Sequence, residues 1–118
     1  MHIVLIGAGS AQFGLGSLGD IMQSKLLEGS SIALVDIDQQ ALSRVETIAR
    51  SFIEEKGLNF TVTATTDRRA ALKGADAVII SIEVGQRFPL WEEDWTLPQQ
   101  YGSQQIYGEN GGPGGLFH

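Results

Sequence analysis

The chain contains no cysteine, which excludes a disulfide scaffold and any thiolate metal site within its 118 residues. Histidine is nearly as scarce. His2 opens a strand-like run and His118 stands at the last position, and neither has the neighbours of a Ser-His-Asp set or a metal triad. Basic residues are few, 8 Lys and Arg against 14 Asp and Glu, giving a formal net charge of -6. With no basic block and no interleaving of aromatic with basic side chains, nucleic acid is not expected as a partner, nor is an anionic membrane surface. Long apolar runs are missing as well. No stretch reaches the length of a membrane span and no basic leader precedes the first strand-like run, so a soluble, cytoplasmic chain is expected.

What is present suits one folded domain: 42% hydrophobic and 19% charged residues in a chain long enough to bury a single core. Glycine is abundant, with 15 residues, and its placement organises the sequence. The run Ile3-Val4-Leu5-Ile6-Gly7-Ala8-Gly9-Ser10 leads from a short aliphatic strand into two glycines one residue apart, then into a segment of helical apolar period. Strand, glycine turn and helix in that order are the parts of a dinucleotide-binding βαβ unit. There the first glycine permits the turn and the second lets backbone approach a pyrophosphate resting on the helix N-terminus. The third glycine of the full fingerprint is replaced by Gln12, and Gly14 and Gly16 do not restore the spacing. The bulk of Gln12 and Phe13 predicts a helix set slightly away from the sheet.

The rest of the chain alternates strand and helix. Residues 2–6 read as a strand buried on both faces. Leu15, Leu18, Met22 and Leu26 predict a helix over roughly residues 11–28, ended by Gly29. A second strand covers residues 31–36, and Asp38 caps a helix that runs to about Lys56 and stops at Gly57. Residues 60–65, rich in threonine, form a third strand. Asp67 caps a short helix ending at Gly74, and residues 77–82 form a fourth, nearly all-apolar strand. This alternation predicts an α/β fold, a Rossmann-like parallel sheet with helices on both faces.

Several residues carry chemistry, each beside a plainer role. Asp36 ends the second strand, where a carboxylate can accept hydrogen bonds from both adenosine ribose hydroxyls and repel a 2′-phosphate, favouring NAD over NADP; otherwise it starts a turn. Ser10 either meets a phosphate oxygen or caps the first helix, and the roles are compatible. Glu83, Val84 and Gly85 follow the fourth strand at the edge where ligands collect, while Asp76 precedes it and is read as a turn residue. Arg87 is a candidate for an anionic substrate group. Glu92, Glu93 and Asp94 lack histidine partners and a metal-loop pattern, so they read as a solvated helix start with Trp91 and Trp95 packing inward. From Gly85 onward periodicity weakens, and the chain closes on Gly111-Gly112-Pro113-Gly114-Gly115. That cluster reads as a loop, a frayed end or an active-site floor, and it predicts that residues 1–118 are an incomplete cofactor-binding domain of a larger protein.

Four blocks together resemble the N-terminal part of the NAD-dependent glycoside hydrolases of family four, which include α-glucosidases, α-galactosidases and 6-phospho-glycosidases. They are Ile6-Gly7-Ala8-Gly9-Ser10 with Phe13; Leu34-Val35-Asp36-Ile37-Asp38; Thr65-Thr66-Asp67 with Ala71-Leu72-Lys73-Gly74-Ala75-Asp76; and Tyr101-Gly102 through Gly108-Glu109 to Gly112-Pro113-Gly114-Gly115. The family's second glycine after the Val-Gly pair is Gln86 here. The resemblance implies that Gly7, Gly9 and Ser10 line the pyrophosphate, that Asp36 holds the adenosine ribose, and that Val84 and Gly85 approach the nicotinamide. Glu109 and Asn110 would lie near the sugar.

It further implies hydrolysis by transient oxidation. NAD+ oxidises the sugar C3 hydroxyl, the acidified C2 proton is removed, the leaving group is eliminated, water adds and the ketone is reduced back, while a divalent metal such as manganese stabilises enolate-like charge. The family's metal-binding cysteine and histidine and its tyrosine base match no residue here, so no catalytic or metal-binding residue is assigned and the chain alone is expected to be inactive. A small-molecule sugar glycoside as substrate and a homo-oligomeric state complete the expectation. A dehydrogenase with net redox turnover and a non-catalytic nucleotide-binding module are the alternatives.

Overall fold

A computed structural model describes residues 1–10, 13–82, 85 and 87–103, the Arg87 side chain excepted. The chain forms two compact units, residues 1–82 and 83–118.

The first unit is built on four strands, β1 (His2–Ile6), β2 (Ser31–Val35), β3 (Thr61–Thr65) and β4 (Ala77–Ile80). All pair in parallel, in the order β3-β2-β1-β4. The helices are α1 (Phe13–Gln23), α2 (Gln39–Lys56) and the short α3 (Arg68–Ala71). Strand alternation sorts the aliphatic residues to two faces. Ile3, Leu5, Ile32, Leu34 and Val62 meet Leu18, Ile21 and Met22 of α1 and Leu42, Val45 and Ala49 of α2. On the opposite face Val4, Ala33 and Val35 meet Ala71 of α3. Helices thus cover both faces, as the alternating pattern implies, but the second layer is thin. Val78 and Ile80, in register with Val4 and Ile6, remain 43% and 63% exposed on the outer strand.

The expected helix over residues 11–28 is shorter than its apolar period suggests. After α1 the backbone tightens into a 3-10 turn at Lys25–Leu27, with N–H donors of Ser24 and Leu27 bonding to carbonyls three residues back at Ile21 and Ser24. The period counts Leu26 as a core position, yet Leu26 is 94% exposed and Leu27 packs against the core instead. The capping expectations hold for α2 and α3. Asp38 accepts from the N–H groups of Gln40 and Ala41 at 2.9 and 3.0 Å, and Asp67 from those of Arg69 and Ala70 at 2.9 and 3.3 Å. Arg50 ties α2 to the sheet, donating to Glu46 Oε1 at 2.7 Å and to the Val62 carbonyl at 2.6 Å.

In the second unit α4 runs from Arg87 to Gln100 and carries Pro98 inside it. Phe88 and Trp91 meet edge to face, with ring centroids 6.0 Å apart. Trp91 is half-buried and Trp95 is at the border of exposure at 36%, so the two tryptophans are less sheltered than expected. Among the described residues no helix is long and apolar enough to cross a membrane.

Candidate functional site

The chain leaves β1 for β2 and β3 on one side, then returns to place β4 on the other side of β1. The strand order therefore reverses at β1, and in open α/β sheets ligands bind outside the carboxyl ends of the strands at such a reversal. Gly7 to Ser10 follow β1 there, Asp36 follows β2, and Ser81 and Ile82 follow β4.

Gly7 is forced by its surroundings. It adopts a φ of +88°, and a β-carbon on it would stand 1.8 Å from the Ser81 carbonyl oxygen, so only glycine lets the end of β4 pass this closely. Its N–H and that of Ala8 both donate to the Val35 carbonyl, at 2.8 and 3.0 Å. Gly7 thus shapes the turn and directs its own N–H into the fold.

Gly9 and Asp36 form the centre of the site. The Gly9 N–H donates to Asp36 Oδ2 at 2.7 Å, and the Asp38 N–H donates to Asp36 Oδ1 at 3.0 Å. A carboxylate offers roughly four lone-pair positions, so both oxygens keep acceptor capacity after these bonds. The two backbone donors hold the half-buried group in one orientation. Next to it Ile37 is 97% exposed, an apolar side chain held in water at the end of β2. The Asp38 carboxyl is held below its ordinary range by the N–H groups of Ala41 and Gln40, with Arg44 adding attraction and desolvation opposing.

Ser10 is exposed, and its hydroxyl accepts from the Phe13 N–H over a long 3.4 Å while its carbonyl takes the Gly14 N–H at 2.9 Å. The capping role is therefore present. The helix is not set away from the sheet as the bulk of Gln12 and Phe13 suggests. Phe13 turns outward, half-exposed, and Gly14 is buried, its missing β-carbon leaving room where an atom would stand 2.2 Å from the Ala8 carbonyl oxygen. Gly14 thus lets α1 close against the loop that follows β1, two residues later than the position of the third glycine of the fingerprint.

Gly85 has a φ of +91° and belongs to the second unit. Gln12, Glu83, Val84, Gln86, Glu109, Asn110 and the glycine cluster lie outside the described residues. Asp76 takes the turn role expected of it, accepting from the His2 N–H at 2.6 Å on the opposite edge of the sheet. No group of three or more metal-ligating side chains converges among the described residues.

Comparison with known proteins follows the same outline. The family model described as Family 4 glycosyl hydrolase matches residues 2–118. The chain is 66% identical over 116 residues to an alpha-glucosidase of Erwinia rhapontici, covering 98% of this chain and 26% of that protein. It is 33% identical over 115 residues to an alpha-galactosidase of Bacillus subtilis (strain 168), covering 98% of this chain and 27% of that protein. The structure of a 6-phospho-beta glucosidase from Thermotoga maritima with manganese, NAD+ and glucose-6-phosphate shares the fold. Its TM-score is 0.77 at 23% identity, over 98% of this chain and 27% of that one. A 6-phospho-alpha-glucosidase from gut microorganisms, in complex with NAD and Mn2+, gives a TM-score of 0.73 at 23% identity, over 97% and 25%. The chain spans about a quarter of the length of these relatives.

Proposed function

The chain belongs to the family 4 glycosyl hydrolases, and from that premise we propose that it is the N-terminal cofactor-binding portion of an NAD- and divalent-metal-dependent glycosidase acting on the O-glycosyl bonds of a small sugar. The observation that carries this reading is the Asp36 carboxylate, fixed by the Gly9 and Asp38 N–H groups at the carboxyl end of β2. A ribose with two vicinal hydroxyls needs a pair of acceptors in fixed orientation at that place. A 2′-phosphate there would meet a carboxylate that cannot turn aside without losing both backbone bonds, which favours NAD over NADP.

The remaining roles follow from position. Gly9 lets the loop come close to the diphosphate, Ser10 offers its hydroxyl at the mouth of α1, and Gly7 keeps the β1 and β4 ends close enough to form one floor. Exposed Ile37 offers an apolar surface beside Asp36 on which the adenine ring would rest. Val84 and Gly85 are proposed towards the nicotinamide, and Glu109 and Asn110 towards the sugar. When bound, NAD supplies reversible hydride exchange with the substrate, so the hydrolysis carries no net redox change. No described cluster of this chain fits the metal. As the family resemblance implies, we place the metal ligands and the base in other sequence of the parent protein, and the chain by itself is expected to bind cofactor without cleaving glycosides.

Isothermal titration of the chain with NAD and with NADP, on protein whose fold is verified by circular dichroism, tests the reading. Saturable heat with NAD and a much weaker response to NADP is expected. A folded sample that takes up neither nucleotide at millimolar concentration refutes it.

A further inference from the structure

Ser81 follows β4 at the carboxyl edge of the sheet, and its backbone is held on two sides. Its N–H donates to the Ile6 carbonyl at 2.8 Å, and its own carbonyl oxygen lies 1.8 Å from where a β-carbon on Gly7 would stand. The side chain is not held. Among the described residues the half-buried Ser81 hydroxyl has no hydrogen-bond partner. At the same edge Thr65 engages its hydroxyl with the Asp67 N–H at 3.0 Å, and Ser10 engages its own with the Phe13 N–H.

Alternation along the strand fixes the side on which the Ser81 hydroxyl lies. Ile79 packs against the core shared with α1 and α2, whereas Val78 and Ile80 stand exposed on the other face. Exposure keeps alternating past the strand, half-buried at Ser81 and exposed at Ile82. Ser81 therefore faces the side of the sheet that α1 covers.

We propose that the Ser81 hydroxyl binds the cofactor, hydrogen-bonding the ribose that carries the nicotinamide. The inference rests on the NAD reading of the site and extends it to the half of the cofactor that Asp36 does not reach. Asp36 follows β2 and Ser81 follows β4, on opposite sides of the loop after β1. A dinucleotide whose diphosphate lies on that loop sends its two nucleoside halves to opposite sides. The adenosine goes over β2, so the second ribose comes over β4. A serine hydroxyl donates and accepts at once, which suits a ribose hydroxyl that does the same. Because Ile6 and Gly7 hold the Ser81 backbone, the contact fixes that ribose relative to the sheet.

Titration calorimetry of the chain and its Ser81→Ala variant with NAD, ADP-ribose and ADP tests the contact, on samples with matching circular dichroism. All three ligands carry the adenosine and the diphosphate, and only the first two carry the second ribose. Ser81→Ala should weaken NAD and ADP-ribose roughly fivefold, about what one neutral hydrogen bond contributes, and leave ADP unchanged. Unchanged NAD and ADP-ribose affinities in the variant overturn the proposal. So does an equal loss for all three ligands, which would put the hydroxyl on the diphosphate or give it a structural role only. Both outcomes leave the NAD reading standing, whereas a folded parent chain that binds none of the three removes that reading and this inference together.

Discussion

Gly9 and Asp36 are joined by a 2.7 Å hydrogen bond from the glycine N–H to Oδ2, and the same oxygen lies 2.7 Å from where a β-carbon on Gly9 would stand. The absence of a side chain at one residue thus permits the carboxylate orientation of another, 27 positions away. In the proposed reading, a nucleotide site arranged this way is ordered before its ligand arrives, which lowers the entropic cost of binding.

Asp36→Ala should weaken NAD binding by between tenfold and a hundredfold, since hydrogen bonds to a charged group contribute about 1.5–3 kcal/mol. NADP affinity should fall less or rise, because the repulsive carboxylate is gone. Gly9→Ala should imitate part of this effect while leaving Asp36 in place, as its methyl group would meet Asp36 Oδ2 and the Ala41 β-carbon at 2.7 and 2.9 Å. Titration calorimetry with both nucleotides separates the two variants, and an unchanged NAD affinity in both would remove Asp36 from the site.

Ile37 gives a subtler test of the same crevice. Replacing this exposed side chain with serine should leave folding stability within about 0.5 kcal/mol. NAD affinity should fall severalfold, as about 1 kcal/mol of apolar contact with the adenine is lost. Competition with nicotinamide mononucleotide, which has no adenine, should show no difference between the parent chain and the variant.

The paired glycines of α1 make opposite predictions. Gly14→Ala places a methyl group 2.2 Å from the Ala8 carbonyl oxygen, so the start of α1 must lift from the loop after β1 at a cost of roughly 1–3 kcal/mol. Gly16 has no heavy atom within 4 Å of the corresponding position, and its replacement by alanine should stabilise the chain by up to about 1 kcal/mol through helix propensity. Urea midpoints moving in the same direction for both variants would contradict this geometry.

These two glycines show where sequence reasoning reaches and where it stops. The positions of the strands and the Asp38 and Asp67 caps follow from local chemistry: aliphatic runs, carboxylates before helices, and glycines after strands. The order β3-β2-β1-β4 and its reversal at β1 are set instead by pairing between distant segments. Gly14 escaped because spacing from Gly9 counts residues along the chain, whereas close approach depends on the path of the loop before α1. Leu26 escaped for a related reason. Its periodicity fits a helix, but the switch to 3-10 bonding after Ile21 turns the following residues and puts Leu27 inward. The exposed face of β4 was equally illegible, because an apolar strand reads the same whether or not a layer covers it.

Asp38 contributes to the acid limb of stability. Its carboxyl lies below the ordinary value of 3.8 because the Ala41 and Gln40 N–H groups favour the ionised form. Such a group stabilises the fold fully above the unfolded pKa, and that contribution is lost as pH falls through the lower folded value. Asparagine still caps a helix but does not titrate. The melting-temperature advantage of the parent chain over Asp38→Asn should therefore be constant near neutrality and shrink below about pH 4. An advantage that grows on acidification would reverse the assignment.

His2 closes the far edge of the sheet, and its tautomer follows from its partners. Nε2 lies 2.9 Å from the Ala71 carbonyl oxygen, which can only accept, so the ring hydrogen must sit on Nε2. Nδ1, 2.9 Å from Ser31 Oγ, then accepts from the hydroxyl in the neutral ring. One imidazole so joins β1, β2 and the end of α3. Nitrogen chemical shifts of the neutral ring should show the Nε2–H form predominating, and Ser31→Ala should reduce that preference only slightly, because the carbonyl can only accept. His2→Ala should cost roughly 1–2 kcal/mol in urea denaturation, about the sum of two ordinary hydrogen bonds. An Nδ1–H ring would mean that α3 is not held to the sheet by this contact.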